Sequence, residues 1–208
     1  MAAAGREMAA AERALARQGC NVVGRLLRDE GPFYEWDHYP AGDVYDPRHG
    51  AQYFYHAHAA AERPVEEHGH FHTFIRPAGP DSLHHVVAVA VDRASRPIRL
   101  FTVNRWVTQE RWIEAAGIVA LLDRFVLDGA RPSRWVNRWL GALLRLFRPQ
   151  IVDLLHQRDA ALAAWQSQHA GRDALEATEL EVLSEMPVSA EAQLDAVARA
   201  LARGARHR

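Results

Sequence analysis

The period of the hydrophobic pattern changes part-way along this chain, and that change sets what it can fold into. Four runs rich in Val, Ile, Phe, Tyr and Thr, at residues 52–58, 68–76, 84–92 and 97–107, are separated by Pro, Gly, Asp and Ser, as strands joined by turns are. After Thr108 the apolar residues instead recur at the 3.6-residue spacing of helices. The expectation is an α+β fold, with a small antiparallel sheet of about four strands (52–107) packed against an N-terminal helix and C-terminal helices. One domain over 1–208 follows, divided into an N-terminal helix (1–30), an aromatic loop (31–51), a histidine-rich β meander (52–107) and a helical region (108–203).

The N-terminal helix is read from Gly5 to Arg28, where Met8, Leu15, Val22, Val23, Leu26 and Leu27 recur at helical spacing before Gly31-Pro32 ends the run. GPFYEWDHYPAGDVYDPRHG then mixes Pro and Gly with aromatics, which marks an ordered loop because disordered segments are poor in aromatic residues. HHVVAVAVD is apolar on both faces and predicts a central strand covered by helices. Downstream, Trp112 to Val126 reads as one helix, Ser133 caps a second, and Pro149 breaks the pattern before a third. A short helical stretch is expected near Ala174 to Leu183, and Ser189 caps a last helix through Leu201 before a frayed GARHR end.

Composition removes several functions. Lysine is absent, which excludes Schiff-base chemistry and a lysine-bearing phosphate loop. Basic and acidic residues number 25 and 26, so no basic excess exists to drive nonspecific nucleic-acid binding. Cys20 has no partner for an intramolecular disulfide, which suits a reducing compartment. The N-terminal residues lack the apolar core of a signal peptide, and no stretch approaches a membrane span. These readings predict a cytoplasmic protein with a small-molecule substrate and neither a nucleic-acid nor a membrane partner; oligomeric state is open.

Nine of the 12 histidines fall between His38 and His85. Alternate side chains of a strand share a face, so His56 and His58 point one way, and His68, His70 and His72 point together. If 59–67 joins neighbouring strands, two rows of imidazoles meet across the ladder, with opposed Cβ atoms about 4.5–5.5 Å apart. Neutral imidazole is the commonest protein ligand for transition metals. The ligand set is His56, His58, His70 and His72 with Glu62, for a divalent metal such as Fe, Zn, Mn or Cu. Glu66, Glu67 and His68 are the candidates for acid–base work. Because bound rings must be neutral, metal loss is expected below about pH 6.

Other polar residues have plain structural readings. Asp37, Asp43 and Asp46 suit turn hydrogen bonds, and His38 and His49 share their loop. Arg99 and Arg105 are placed together on a strand face. His84-His85 puts one ring on each side of the sheet.

Three resemblances accompany these residues. Gly50, His56-x-His58, Glu62 and Gly69 resemble the first cupin motif, which implies a small barrel with a metal on those histidines and the glutamate, and His84 as a further ligand. His68-x-His70-x-His72 is similar to the pattern of histidine-triad nucleotide hydrolases and transferases, which implies attack on phosphorus by His70. Over longer stretches, EWDHYPAGDVYDP, EHGHFHTFIRP, RLFTVNRWVT, NRWL and LRLFRPQI resemble segments of a bacterial family catalogued as a domain of unknown function, which implies one integral domain and no stated activity. The leading expectation is a metal-dependent enzyme acting on a small molecule, an oxidoreductase or hydrolase. The alternatives are a noncatalytic metal-binding or sensing module and a metal-free phosphoryl or nucleotidyl transferase or hydrolase.

Overall fold

The computed structural model describes residues 1–205; of the end expected to fray, residues 206–208 lie outside it, while Gly204 and Ala205 continue the last helix. Two helices, α1 (Ala2–Ala16) and α2 (Val22–Leu27), precede strands β1 (Tyr39–Tyr45), β2 (Ala51–His56), β3 (Gly69–Ile75), β4 (His84–Val91) and β5 (Pro97–Val103). Helices α3 (Arg105–Thr108), α4 (Ala115–Leu121), α5 (Arg134–Leu146) and α6 (Arg148–Gln168) follow, then β6 (Val182–Pro187) and α7 (Ala190–Ala205). The fold is α+β, with one antiparallel sheet in the order β1-β2-β3-β4-β5-β6.

The sheet has six strands where about four were expected, and both additions are edges. β1 lies in the segment read as an aromatic loop, because Pro40 and Gly42 hide its strand character. β6 lies at the end of the stretch read as helical; VLSEMP pairs Leu183 and Ser184 inward with exposed flanks and carries no long alternation. The single N-terminal helix is two, divided where Asn21 caps α2 by accepting from the Gly24 N–H at 2.7 Å. Likewise, the helix expected over Trp112–Val126 shortens to α4 and a 3₁₀ turn at Leu122–Arg124. Ser133 and Ser189 cap α5 and α7 through their hydroxyls.

One face of the sheet is covered by helices. Tyr53, Tyr55, Phe71, Val87, Val89 and Leu100 join Trp139, Leu140, Leu143, Ile151, Leu154 and Leu155 in the main core. Trp139 of α5 lies 5.9 Å from the Phe71 ring, and α6 packs against β4, β5 and β6. Burying a large apolar side chain there contributes about 1.5–3 kcal/mol. Asn137 ties α5 to the sheet: its Oδ1 accepts from the Tyr53 hydroxyl at 2.8 Å, and its Nδ2 donates to the carbonyls of Gly129 and Arg131. All eight residues of β4 are buried, as its two apolar faces predict. The opposite face of β2, β3 and β4 carries the histidines. No helix among the described residues is long and apolar enough to cross a membrane.

Candidate metal centre

Register brings the rings together. His56 pairs with His70 and Phe54 with His72 across β2 and β3. On the next strand Ala90 stands opposite His70 and Ala88 opposite His72, so small side chains neighbour both rings. His56, His70 and His72 are 8%, 3% and 2% exposed. Each offers a ring nitrogen, and the three nitrogens lie within 4.8 Å of one another. The Nε2 atoms of His56 and His70 are 2.7 Å apart. His58 lies past the end of β2 and is half-buried, its ring 5.1 Å from those of both His56 and His70.

The surroundings engage the outer nitrogens of His70 and His72. His70 Nδ1 is 2.7 Å from Glu67 Oε1, and His72 Nδ1 is 3.1 Å from His85 Nε2. With those positions occupied, the Nε2 atoms of His70 and His72 are the natural donors. Phe101 meets His70 edge-on at 5.1 Å, while Phe54 and Phe74 flank His72. On the open side, Trp36 stacks on His58 at 4.2 Å and His38 stacks on Phe54 at 3.6 Å, 5.8 Å from the His56 ring. The Trp36 N–H donates to the Ala57 carbonyl, which pins this flap to the sheet.

Burial favours uncharged imidazole at His56, His58, His72 and His85. Burial, then the neighbouring rings of His70, His58 and His38, lowers His56 to about 2. Burial also holds His72 well below its ordinary value, helped by His70 and His85, and it lowers His85 to about 3 with Arg158 contributing. His58 is lowered too, by burial and by His70. Burial pushes Glu67 upward, but its bond to His70 and the charge of Arg99 outweigh this and leave it lowered. An uncharged imidazole is the form that binds a divalent transition metal.

Several expected residues stand elsewhere. His68 does not share the His70 and His72 face: it precedes β3, its Nδ1 meets the Tyr55 hydroxyl at 2.6 Å, and its ring lies 5.8 Å from Phe33. Glu62 and Glu66 are exposed in the connection between β2 and β3, and neither belongs to the converging group. Glu67 is buried and engaged on both oxygens, by His70 and by Arg99 at 2.9 Å, so its place is beside a ring and not facing an open site. His84 points to the Arg111 carbonyl, away from the cluster. His85 joins it because β4 advances two residues, from Val87 to His85, while β3 advances one, from Thr73 to Phe74. No alternation rule exposes that bulge. Arg105 opens α3 and pairs with Glu176 and Asp173, so it does not share a strand face with Arg99. Asp46 serves its turn, accepting from the backbone N–H groups of Arg48, His49 and Asp128.

These features define an α+β domain whose sheet is clad in helices on one face and carries a buried histidine cluster on the other. The chain belongs to the family described as a domain of unknown function, DUF6969, whose model matches residues 2–188. No curated protein and no solved structure matches it.

Proposed function

We propose that this protein is a metal-dependent enzyme acting on a small molecule, with a divalent transition metal held by His56, His70 and His72 and with His58 at the exposed side. The observation that carries the reading is the convergence of three buried ring nitrogens within 4.8 Å. Such a donor set is at home with Fe, Zn, Cu or Mn. When bound, the metal supplies Lewis acidity or, for iron or copper, redox chemistry. The residues supply the rest. Phe54, Phe74 and Phe101 exclude water from the inner side, while Trp36 and His38 stand where a substrate reaches His58. The near balance of 25 basic and 26 acidic residues favours a small molecule over nucleic acid, and a reducing, cytoplasmic setting suits the lone Cys20.

His58 also supports a second reading. Should its ring complete a fourth ligand position, the protein is a noncatalytic metal module with no position left for substrate. Phosphoryl transfer through His70 is disfavoured because Nε2 faces His56 at 2.7 Å within a residue that is 3% exposed. The deciding experiment is elemental analysis of protein purified without a histidine tag, repeated for His56→Ala, His70→Ala and His58→Ala. Stoichiometric metal that is lost in the first two variants supports the site. Retention in His58→Ala favours the enzyme, and loss there favours the closed module. Substoichiometric metal indifferent to His56 and His70 sinks both readings.

A further inference from the structure

We propose that Glu67 and Arg99 are positioning residues for this site: the Glu67 carboxylate fixes His70 with its proton on Nδ1 and its bare Nε2 turned inward, and Arg99 holds that carboxylate in place. The proposal rests on the metal reading for its use, but the tautomer it assigns exists with or without metal. An ionised carboxylate only accepts hydrogen bonds, so the 2.7 Å contact between Glu67 Oε1 and His70 Nδ1 places the proton on the ring nitrogen. Nε2 is then the nitrogen presented to His56 and to the centre of the cluster. Glu67 is itself fixed. Its other oxygen accepts from Arg99 at 2.9 Å, and Arg99 donates onward to Glu185 of β6 at 2.7 Å. The guanidinium also lies 4.3 Å from the centre of the Phe101 ring, which meets His70 edge-on. Charge, hydrogen bonds and stacking therefore hold one ligand from three directions. The chain reaches from the loop before β3, through β5, to the last strand of the sheet.

Carboxylates placed behind metal-binding imidazoles orient the ring and raise its basicity; their loss costs about 10- to 100-fold in metal affinity. The test uses the full chain with Glu67→Gln, Arg99→Met and, as a matched removal of a nearby exposed charge, Glu66→Gln. Two quantities are read: nitrogen-15 NMR of the His70 ring in protein stripped with chelator, assigned by its absence in His70→Gln, and the Zn²⁺ dissociation constant from chelator competition. Wild type is expected to show protonated Nδ1 and bare Nε2. Glu67→Gln should lose that preference and weaken Zn²⁺ binding by about 10- to 100-fold, Arg99→Met should weaken it by less, and Glu66→Gln should stay within about twofold. Arg99→Met carries the test if Glu67→Gln does not fold. Unchanged tautomer and unchanged affinity in Glu67→Gln and Arg99→Met would overturn the proposal. Wild type that binds no Zn²⁺ yet loses the His70 tautomer in Glu67→Gln defeats the metal reading while upholding the positioning.

Discussion

His72 and His85, on neighbouring strands and both buried, meet through Nδ1 and Nε2 at 3.1 Å. This contact exists because of the β4 bulge, and it gives His72 a partner that keeps its other nitrogen free. Replacing His85 with Phe, a ring already at home beside Phe74, leaves the buried His72 Nδ1 without a partner. The expected loss is about 1–3 kcal/mol of unfolding free energy, read from urea denaturation of the metal-free protein. An unchanged midpoint would mean that the contact contributes nothing.

Acid stability follows from the same rings. His56 and His85 fall from an ordinary 6.5 to about 2 and about 3, and His72 falls well below 6.5, so the unfolded chain takes up protons that the folded chain refuses. Their effect is absent above about pH 7, and stability drops as pH falls below about 6.5, by up to about 1.4 kcal/mol per pH unit for each ring. Glu110 acts in the opposite sense. Burial raises it from 4.5 to about 7, so its favourable protonation is lost as pH rises from about 4.5 through 7. The net outcome is a plateau above about pH 7 with a steep acid side, steeper still in Glu110→Gln. Denaturation curves from pH 5 to 8 check this; a profile flat from 5 to 7 would contradict it.

Gly69 sits where the two histidine strands begin to pair. A Cβ there would meet the His56 carbonyl oxygen and the Tyr55 hydroxyl, each at 2.5 Å. Gly69→Ala should therefore cost about 1–3 kcal/mol and weaken metal binding by displacing His56 or His70. Thermal unfolding and chelator competition measure both, and wild-type values in each would show that the strands give way freely.

Asn137 predicts a failure remote from the histidines. Asn137→Ala strands the Tyr53 hydroxyl and the carbonyls of Gly129 and Arg131, with an expected cost of about 1–3 kcal/mol. Because Tyr53 faces the helices and not the cluster, metal affinity measured below the unfolding transition should remain that of wild type.

The legible parts of this fold were those whose surroundings repeat along the chain. β2 to β5 pair in consecutive order across the sheet, and their runs of Val, Ile, Phe and Tyr state that directly. β1 and β6 need alternate only against one neighbour, and Pro40, Gly42 and Pro187 sit in them at no cost to a second ladder. Within the site, His56, His70 and His72 were readable from strand parity. His68 was misplaced because parity fails at the residue before a strand begins, and of the pair His84-His85 it is His85, not the expected His84, that joins the cluster because a bulge reverses parity partway along β4. Glu66 and Glu67 are adjacent and chemically alike; only the turn entering β3 decides that one is exposed and the other lies beneath Arg99. Arg99 itself offered no sequence signal linking it to a glutamate on the far side of a loop and a strand.

Ala88 and Ala90 place only methyl groups across the ladder from His72 and His70. A bulkier side chain at either position would crowd the neighbouring imidazole without altering any donor. On the metal reading, the spacing of the three nitrogens would thus answer to residues of β4, a strand that contributes none of those three donors.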